Sequence, residues 1–103
     1  MYADVYRNAA PRGTRDTPYL LDVQANLLGQ LATRIVVPLR AAESIPRPMH
    51  GLQPSFEVEG RAVVMDTPAL VGAPVSALGE RVGNLRAERD AILAALDLLI
   101  TGV

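Results

Sequence analysis

The end of the chain, residues 85–103, constrains the fold most, because its apolar residues recur at the 3.6-residue period of an α-helix. One stripe of this helix contains Leu85, Ile92, Leu96, Leu99 and Val103. Leu93 and Ile100 widen the stripe on one side. The apolar arc is therefore wider than one packing surface requires, which indicates a second surface for a partner. Periodicity alone favours the simpler interpretation, a helix buried in the core.

Both ends of this helix carry local signals. Asn84 is a residue type that caps helix N-termini, and Glu88 in the first turn suits the helix dipole. Gly102 is typical of the position just after a helix, since glycine adopts the left-handed conformation that ends one. These signals predict that Thr101, Gly102 and Val103 form a short exposed tail.

Composition excludes several classes of function. The 103 residues predict one domain, residues 1–103, and a net charge of −1 lacks the basic excess that attracts nucleic acid. No cysteine is present, which excludes disulfides and thiolate chemistry. The first residues have neither the basic nor the apolar region of a signal peptide, and no apolar run reaches membrane-spanning length. We therefore expect a soluble, cytoplasmic protein.

Alternating and β-branched residues predict strands in the first half of the chain. Residues 2–6 alternate as a first strand, residues 19–26 form a second, and residues 33–39 form a third. Pro38 is expected to end the third strand or to place it at an edge, because proline has no N–H to donate. Two long strands in succession predict a hairpin.

A second hairpin has the strongest local signal. Residues 55–59 alternate between polar and apolar positions, Gly60 supplies a turn, and residues 61–65 return with Ala62, Val63 and Val64. Residues 74–79 form a last extended segment before the helix. The pattern predicts five to seven short strands and one terminal helix. It therefore indicates a mainly β, α+β domain in which antiparallel strands form a barrel or two sheets.

The sequence carries no pattern typical of catalysis or metal binding. His50 is the only histidine and lies among prolines and glycines, so we interpret it as a loop residue. A metal site needs two or three convergent ligands, and no such spacing occurs. A nucleophile elbow and a Cys-His pair are both missing, and residues 79–83 lack the Lys-Ser/Thr of a phosphate loop. We predict a protein that is not an enzyme and binds no cofactor or metal.

Two turn-rich segments carry arginines. Residues 8–18 contain two prolines and a glycine, and residues 40–49 contain two prolines. Neither segment shows apolar periodicity, which predicts loops. The arginines in or beside them are Arg7, Arg12, Arg15, Arg40 and Arg47. Such loops are most often solvated connections, but in a chain without a pocket motif they are also candidates for partner contact.

Several segments, in order, resemble the CcdB toxins of type II toxin–antitoxin modules. The matching segments are residues 21–26 (LDVQAN), 34–39 (RIVVPL), 74–80 (PVSALGE) and 102–103 (GV). The resemblance extends from about Tyr19 to the end of the chain. It implies antiparallel sheets in an SH3-like barrel of CcdB type with one C-terminal α-helix, a homodimer, and no catalysis.

The resemblance also implies a function and a set of partners. CcdB toxins bind the GyrA subunit of DNA gyrase and trap the enzyme on cleaved DNA, and an antitoxin neutralises them. The toxin–antitoxin complex represses its own operon, and the antitoxin makes the DNA contacts. By position, Thr101, Gly102 and Val103 would bind gyrase. Leu99, Ile100 and Val103 would form the dimer interface.

One position departs from the family pattern. Thr101 stands where the family has tryptophan, and threonine cannot supply the aromatic face that stacks on an arginine. Loss of such a hot-spot aromatic costs on the order of 2 kcal/mol or more of binding energy. The arginine-bearing loops occupy the positions where the family meets its antitoxin. An acidic antitoxin tail would therefore be attracted by Arg7, Arg12, Arg15, Arg40 and Arg47.

Three functional hypotheses follow from the sequence. The first is a toxin that poisons gyrase, and the second is a dimeric CcdB-fold module that binds an antitoxin-like peptide but no longer poisons gyrase or has another target. Thr101 motivates the second, although it also fits a helix-end residue without a special role. The third, an RNA-cleaving toxin, lacks a basic site that contains histidine.

Overall fold

The computed structural model describes residues 2–10, 15–25 and 31–102. Seven strands are formed: β1 (Asp4–Asn8), β2 (Tyr19–Asp22), β3 (Thr33–Ala41), β4 (Ser55–Val58), β5 (Arg61–Met65), β6 (Val71–Pro74) and β7 (Leu78–Asn84). One α-helix, α1 (Arg89–Thr101), follows them. Single 3₁₀ turns lie at Ala42–Ser44, Thr67–Ala69, Val75–Ala77 and Arg86–Glu88. This antiparallel α+β architecture with one C-terminal helix confirms the predicted fold class.

The seven strands form one curled antiparallel sheet in the order β4-β5-β3-β2-β1-β7. The long strand β3 pairs with β2 on one edge, and its other edge is shared by two strands. β6 pairs with the first part of β3, from Thr33 to Val36, and β5 pairs with the last part, from Leu39 to Ala41. The sheet therefore curls into the half-barrel of an SH3-like fold.

Both predicted hairpins form. β2 and β3 pair antiparallel, with Leu21 opposite Val37. β4 and β5 pair with Val58 opposite Arg61, so that Glu59 and Gly60, whose φ angles are 53° and 77°, form a two-residue turn. The local sequence pattern around the turn was sufficient to predict this second hairpin.

Pro38 does not end β3, contrary to the sequence prediction. The strand continues to Ala41, and the carbonyl oxygen of Pro38 accepts a hydrogen bond from the Asp66 N–H at 2.9 Å. The nitrogen of Pro38 faces the same edge as this carbonyl, in the gap between the β6 and β5 pairings. Since no ladder bond is required there, proline is tolerated inside the strand.

Residues 74–79 also differ from the prediction of one extended segment. Pro74 ends β6, a 3₁₀ turn follows at Val75–Ala77, and a separate strand, β7, begins at Leu78. β7 is the strand that pairs with β1, and its central residues are exposed or half-buried. Because β7 is only partly buried, its residues do not alternate clearly between apolar and polar, so the sequence pattern does not predict it as a separate strand.

The main core lies between the concave face of the sheet and one side of α1. Its fully buried side chains include Val5, Leu21, Val37, Leu39, Val63, Met65 and Ile92. Ile92 and Ala95 are the buried residues of α1, and Leu85 and Leu96 pack against the same cluster partly buried. A smaller cluster of Leu20, Val36 and Ala73 covers part of the opposite face. The helix therefore uses only part of its apolar arc for the core.

Candidate functional site

The C-terminal end of α1 presents apolar side chains to solvent. Ile100 is 75% exposed and Leu99 is 36% exposed, whereas Ile92 on the core side is fully buried. A purely buried core helix is therefore excluded, and an apolar surface without a partner is present as the width of the arc indicated. Thr101 and Gly102 are exposed beside it, and Val103, which was predicted for both interfaces, lies outside the described residues.

Backbone geometry ends the helix at this surface. Gly102 has a φ of 75°, and its N–H donates to the Leu98 carbonyl oxygen at 3.1 Å. This left-handed residue satisfies a carbonyl at the helix terminus and turns the chain away from the helix axis. The expected role of Gly102 as the residue that ends the helix is therefore confirmed.

Thr101 occupies the last position of α1, so it belongs to the helix and not to the three-residue tail that the sequence predicted. Its hydroxyl donates to the Asp97 carbonyl oxygen, one turn earlier in the helix, at 2.7 Å. The side chain is exposed, but its hydroxyl is held by the helix backbone and it has no aromatic face to offer a partner. An aromatic ring at this position would project a flat face instead.

A neighbouring segment packs near the same end of the helix. A Cβ placed on Gly51 would lie 3.6 Å from Cδ2 of Leu98, so this glycine is in close contact with α1. Met49, two residues earlier, is 61% exposed, and His50 between them is exposed. His50 is therefore a loop residue, as the sequence suggested, and Met49 adds a further exposed apolar side chain in this region.

Arg7 belongs to a polar network on the edge of the sheet. Its guanidinium lies 3.0 Å from a carboxylate oxygen of Glu59 and 3.5 Å from one of Glu80. The Tyr19 hydroxyl donates to the other oxygen of Glu59 at 2.7 Å. Burial and then this hydrogen bond to Glu59 raise the pKa of Tyr19 above its ordinary value. Arg7 is thus largely neutralised by its own neighbours.

The other predicted arginines differ in how much charge they have available. Arg40 lies 3.5 Å from Asp66, which also accepts a hydrogen bond from Gln53. Arg15 and Arg47 are exposed and form no ion pair within the part of the chain that the structure describes. Arg12 lies outside that part. The predicted arginines therefore differ in how readily they could bind an acidic partner.

Sequence reasoning missed a groove beside the start of α1. It has a volume of about 570 Å³ and is lined by Tyr2, Val23, Ala25, Arg86, Arg89 and Leu93. Burial raises the pKa of Tyr2, and the nearby charge of Arg89 opposes that rise. The i, i+3 spacing of Arg86 and Arg89 followed by Leu93 is a signal in the sequence, but the strand residues across the groove are set by the fold.

Two buried carboxylates are held by arginines. Asp4 accepts hydrogen bonds from Arg81 Nε at 2.8 Å and Asn84 Nδ2 at 2.9 Å. Asp22 accepts from Arg34 Nη2 at 2.7 Å and from the Gln24 N–H at 2.9 Å. Carboxylates engaged in this way tie distant parts of the sheet together, and at Asp4 the net effect of its surroundings is a lowered pKa. These two acids are structural.

The described residues form neither a metal-binding cluster nor a membrane-spanning helix. Among residues 2–10, 15–25 and 31–102, no group of three or more histidine, aspartate or glutamate side chains converges as a metal site would require. None of the helices in the described ranges is long and apolar enough to cross a bilayer.

The fold and these surfaces together define a small α+β protein with a curled antiparallel sheet and an exposed apolar helix end. A family model described as CcdB protein matches residues 3–102. The chain therefore belongs to the CcdB family, the toxins of toxin–antitoxin modules of the gyrase-poisoning kind, which act by poisoning gyrase and not by catalysis. A search of curated proteins finds no match. The resemblance seen in the sequence is thus confirmed.

Proposed function

We propose that this protein is the toxin of a type II toxin–antitoxin module. It acts as a homodimer that binds the GyrA subunit of DNA gyrase and traps the cleaved gyrase–DNA complex. A cognate antitoxin neutralises it, and the two together repress their own operon, with the antitoxin contacting DNA. The observation that carries this proposal is the family match over residues 3–102.

The gyrase contact is assigned to the end of α1. Thr101 and Gly102 are exposed there, next to the apolar side chains of Leu99 and Ile100. Exposed residues at the end of a rigid helix can contact a partner's surface without unfolding of the domain. The assignment extends to Val103 by its position, and the dimer interface is assigned to Leu99, Ile100 and Val103.

The proposal is tested by expression and by a cleavage assay. Expression of the protein without an antitoxin is expected to stop growth. Addition of the purified protein to DNA gyrase and supercoiled plasmid is expected to yield linear DNA after denaturation of the trapped complex. Normal growth together with no measurable binding to GyrA would rule the proposal out.

Thr101 supports a second candidate, a dimeric module that binds an antitoxin-like peptide but has lost the ability to poison gyrase or has another target. Its hydroxyl is folded back onto Asp97, and it lacks the aromatic surface of the family tryptophan. Thr101→Trp is expected to restore toxicity if only the aromatic ring is missing, with Ala94→Trp, an exposed position two turns earlier in the helix and away from its end, as control. No gain in toxicity would count against a lost aromatic contact as the cause.

A further inference from the structure

The groove beside the start of α1 combines charge and apolar surface. Arg86 and Arg89 lie on the helix side of it, and Val23 and Ala25, which follow β2, lie opposite. Tyr2, which precedes β1, closes one end. Among the residues that the structure describes, no carboxylate lines the groove. Three separate parts of the chain therefore meet to form a pocket with a positive rim.

Arg86 and Arg89 are available to bind a ligand. Both are exposed, and within the described residues neither guanidinium forms an ion pair or a side-chain hydrogen bond. Arg7, Arg40 and Arg81, by contrast, are each paired with a carboxylate. An arginine without an internal partner keeps its full set of donors for an incoming carboxylate. Arg86 and Arg89 are thus better placed to attract an acidic partner than Arg7 or Arg40.

The positive charge of Arg86 and Arg89 lies on one side of the start of α1. Near the start of α1, a second groove of about 390 Å³ is lined by Ser55, Phe56, Glu57, Ala62, Leu85 and Glu88. Its charged side chains, Glu57 and Glu88, are both acidic. Basic and acidic grooves thus flank the same element, and an acidic ligand is directed to the side of Arg86 and Arg89.

The groove continues into the exposed apolar end of the helix. Leu93 lines the groove, and Ile100 is seven residues further along the same side of α1. Two helical turns separate them by about 10 Å. A peptide lying along α1 would therefore meet positive charge first and then an apolar side chain.

We propose that this groove binds an acidic and apolar peptide segment of a protein partner. One or two carboxylates of the segment contact Arg86 and Arg89, and an apolar side chain packs against Val23 and Leu93. The segment continues along α1 toward Ile100. The inference rests on the proposed function only for the partner's identity, which we assign as the antitoxin. A free phosphate would leave the apolar wall unused, and a nucleic acid needs a broader basic surface than a chain of net charge −1 offers.

Peptide selection on the purified protein tests the inference. A phage-displayed library of random twelve-residue peptides is selected on the wild-type chain, and the enriched peptides are measured against the double variant Arg86→Glu/Arg89→Glu. We expect enrichment of Asp or Glu next to Leu, Ile or Phe, and at least tenfold weaker binding to the double variant, since two charge-assisted contacts are reversed. The control Arg47→Glu reverses an exposed arginine outside the groove and is expected to retain binding.

The double variant is chosen so that it folds. Glutamates in the first turn favour the helix dipole, and both positions are exposed. An unchanged circular dichroism melt verifies this. Selected peptides without acidic residues, peptides that bind the double variant as tightly as the wild type, or an oligonucleotide that competes for the groove would each overturn the inference.

The gyrase assay on the same preparations separates the two proposals. If the wild-type protein binds acidic peptides through Arg86 and Arg89 but does not trap gyrase, the groove stands and the toxin function fails. If it traps gyrase but selects no acidic peptides, the toxin function stands and the groove assignment fails.

Discussion

Asp4 lies at the beginning of β1 and connects three parts of the chain. It is 4% exposed and accepts hydrogen bonds from Arg81 and Asn84 at the far end of the sequence. The Asn84 side chain also accepts a hydrogen bond from the Arg86 N–H at 2.6 Å. Asn84 is not the helix N-cap that the sequence predicted, because it ends β7, a 3₁₀ turn follows at Arg86–Glu88, and α1 begins only at Arg89. One buried carboxylate thus aligns β1, β7 and the start of the helix.

The pH dependence of stability follows from Asp4. Burial raises the pKa of its carboxyl, but the lowering effects, led by the hydrogen bonds from Asn84 and Arg81, together outweigh burial, so the pKa lies below the ordinary 3.8. A lowered folded-state pKa stabilises the protein above pH 3.8 and loses this contribution as the pH falls through the folded-state value. Asp4→Asn is expected to lower the free energy of unfolding by about 2 kcal/mol at pH 7.

Urea melts between pH 7 and pH 2 measure this effect. The difference between wild type and Asp4→Asn should shrink below pH 4 as the carboxyl becomes protonated. Glu57→Gln, which changes an exposed carboxylate on β4, is the control and should show no such difference. A constant difference at every pH would contradict the role of the charge.

Asp22 and Arg34 form the most buried ion pair that the structure describes. Their side chains are 0% and 8% exposed, and Arg34 donates through both Nε and Nη2 to one oxygen of Asp22. Arg34→Met would leave the Asp22 charge buried without this partner, and we expect a loss of about 3 kcal/mol. Arg34→Met combined with Asp22→Asn should recover part of that loss, because it removes the stranded charge.

A double-mutant cycle by chemical denaturation measures the coupling. A coupling energy of at least about 1 kcal/mol between the two positions is expected. Additive losses from Arg34→Met and Asp22→Asn would mean that the pair contributes no specific interaction.

At the scale of elements, the close packing of β7 against β1 determines which residue type can occupy position 79. A Cβ added to Gly79 would lie 2.8 Å from the backbone oxygen of Arg7 and 3.3 Å from the Arg7 Cβ. Both atoms belong to β1, which pairs with β7 through irregular register shifts. The β1–β7 pairing therefore requires glycine at this position because the two backbones approach too closely for a side chain.

Gly79→Ala tests this close approach. The variant is expected to lose about 1–3 kcal/mol of stability, since the added methyl group must displace backbone atoms of β1. Gly83→Ala, in the same strand, is the matched control, because a Cβ there meets no atom within 4 Å. Thermal melts of both variants provide the comparison, and equal melting temperatures would show that β1 yields without cost.

At the scale of the whole molecule, the helix has to serve two surfaces. Ile92 and Ala95 are buried in the core, while Ile100 leaves three quarters of its surface exposed. Leu99 beside it is also 36% exposed, and adjoining exposed apolar side chains mark interaction surfaces, whereas single ones are ordinary. The proposed homodimer would cover this end of α1 by pairing it with its copy.

Ile100→Glu tests the proposed dimer. The variant is expected to weaken self-association at least tenfold, because a buried interfacial carboxylate would lack a partner, while the fold of the single chain is unaffected. Ala94→Glu, an exposed position on a different side of α1, should not change self-association. Sedimentation equilibrium measures both, and a dimer of unchanged strength in Ile100→Glu would place the interface elsewhere.

The sequence by itself determined the elements whose signals are local. The hairpin of β4 and β5 follows from alternation around a two-residue turn, and the end of α1 follows from Gly102, because turns and helix ends depend on neighbouring residues only. The exposed apolar end of α1 was also readable, since an arc wider than one packing surface is a property of the helix alone.

Only the tertiary structure decided how distant residues meet. Pro38 is tolerated within β3 because two different strands share that edge, and the ion pair of Asp4 with Arg81 joins opposite ends of the chain. The groove of Arg86 and Arg89 depends on residues before β1 and after β2. Such contacts depend on which strands become neighbours, and strand order is set by packing of the whole core, so residue spacing along the chain does not contain it.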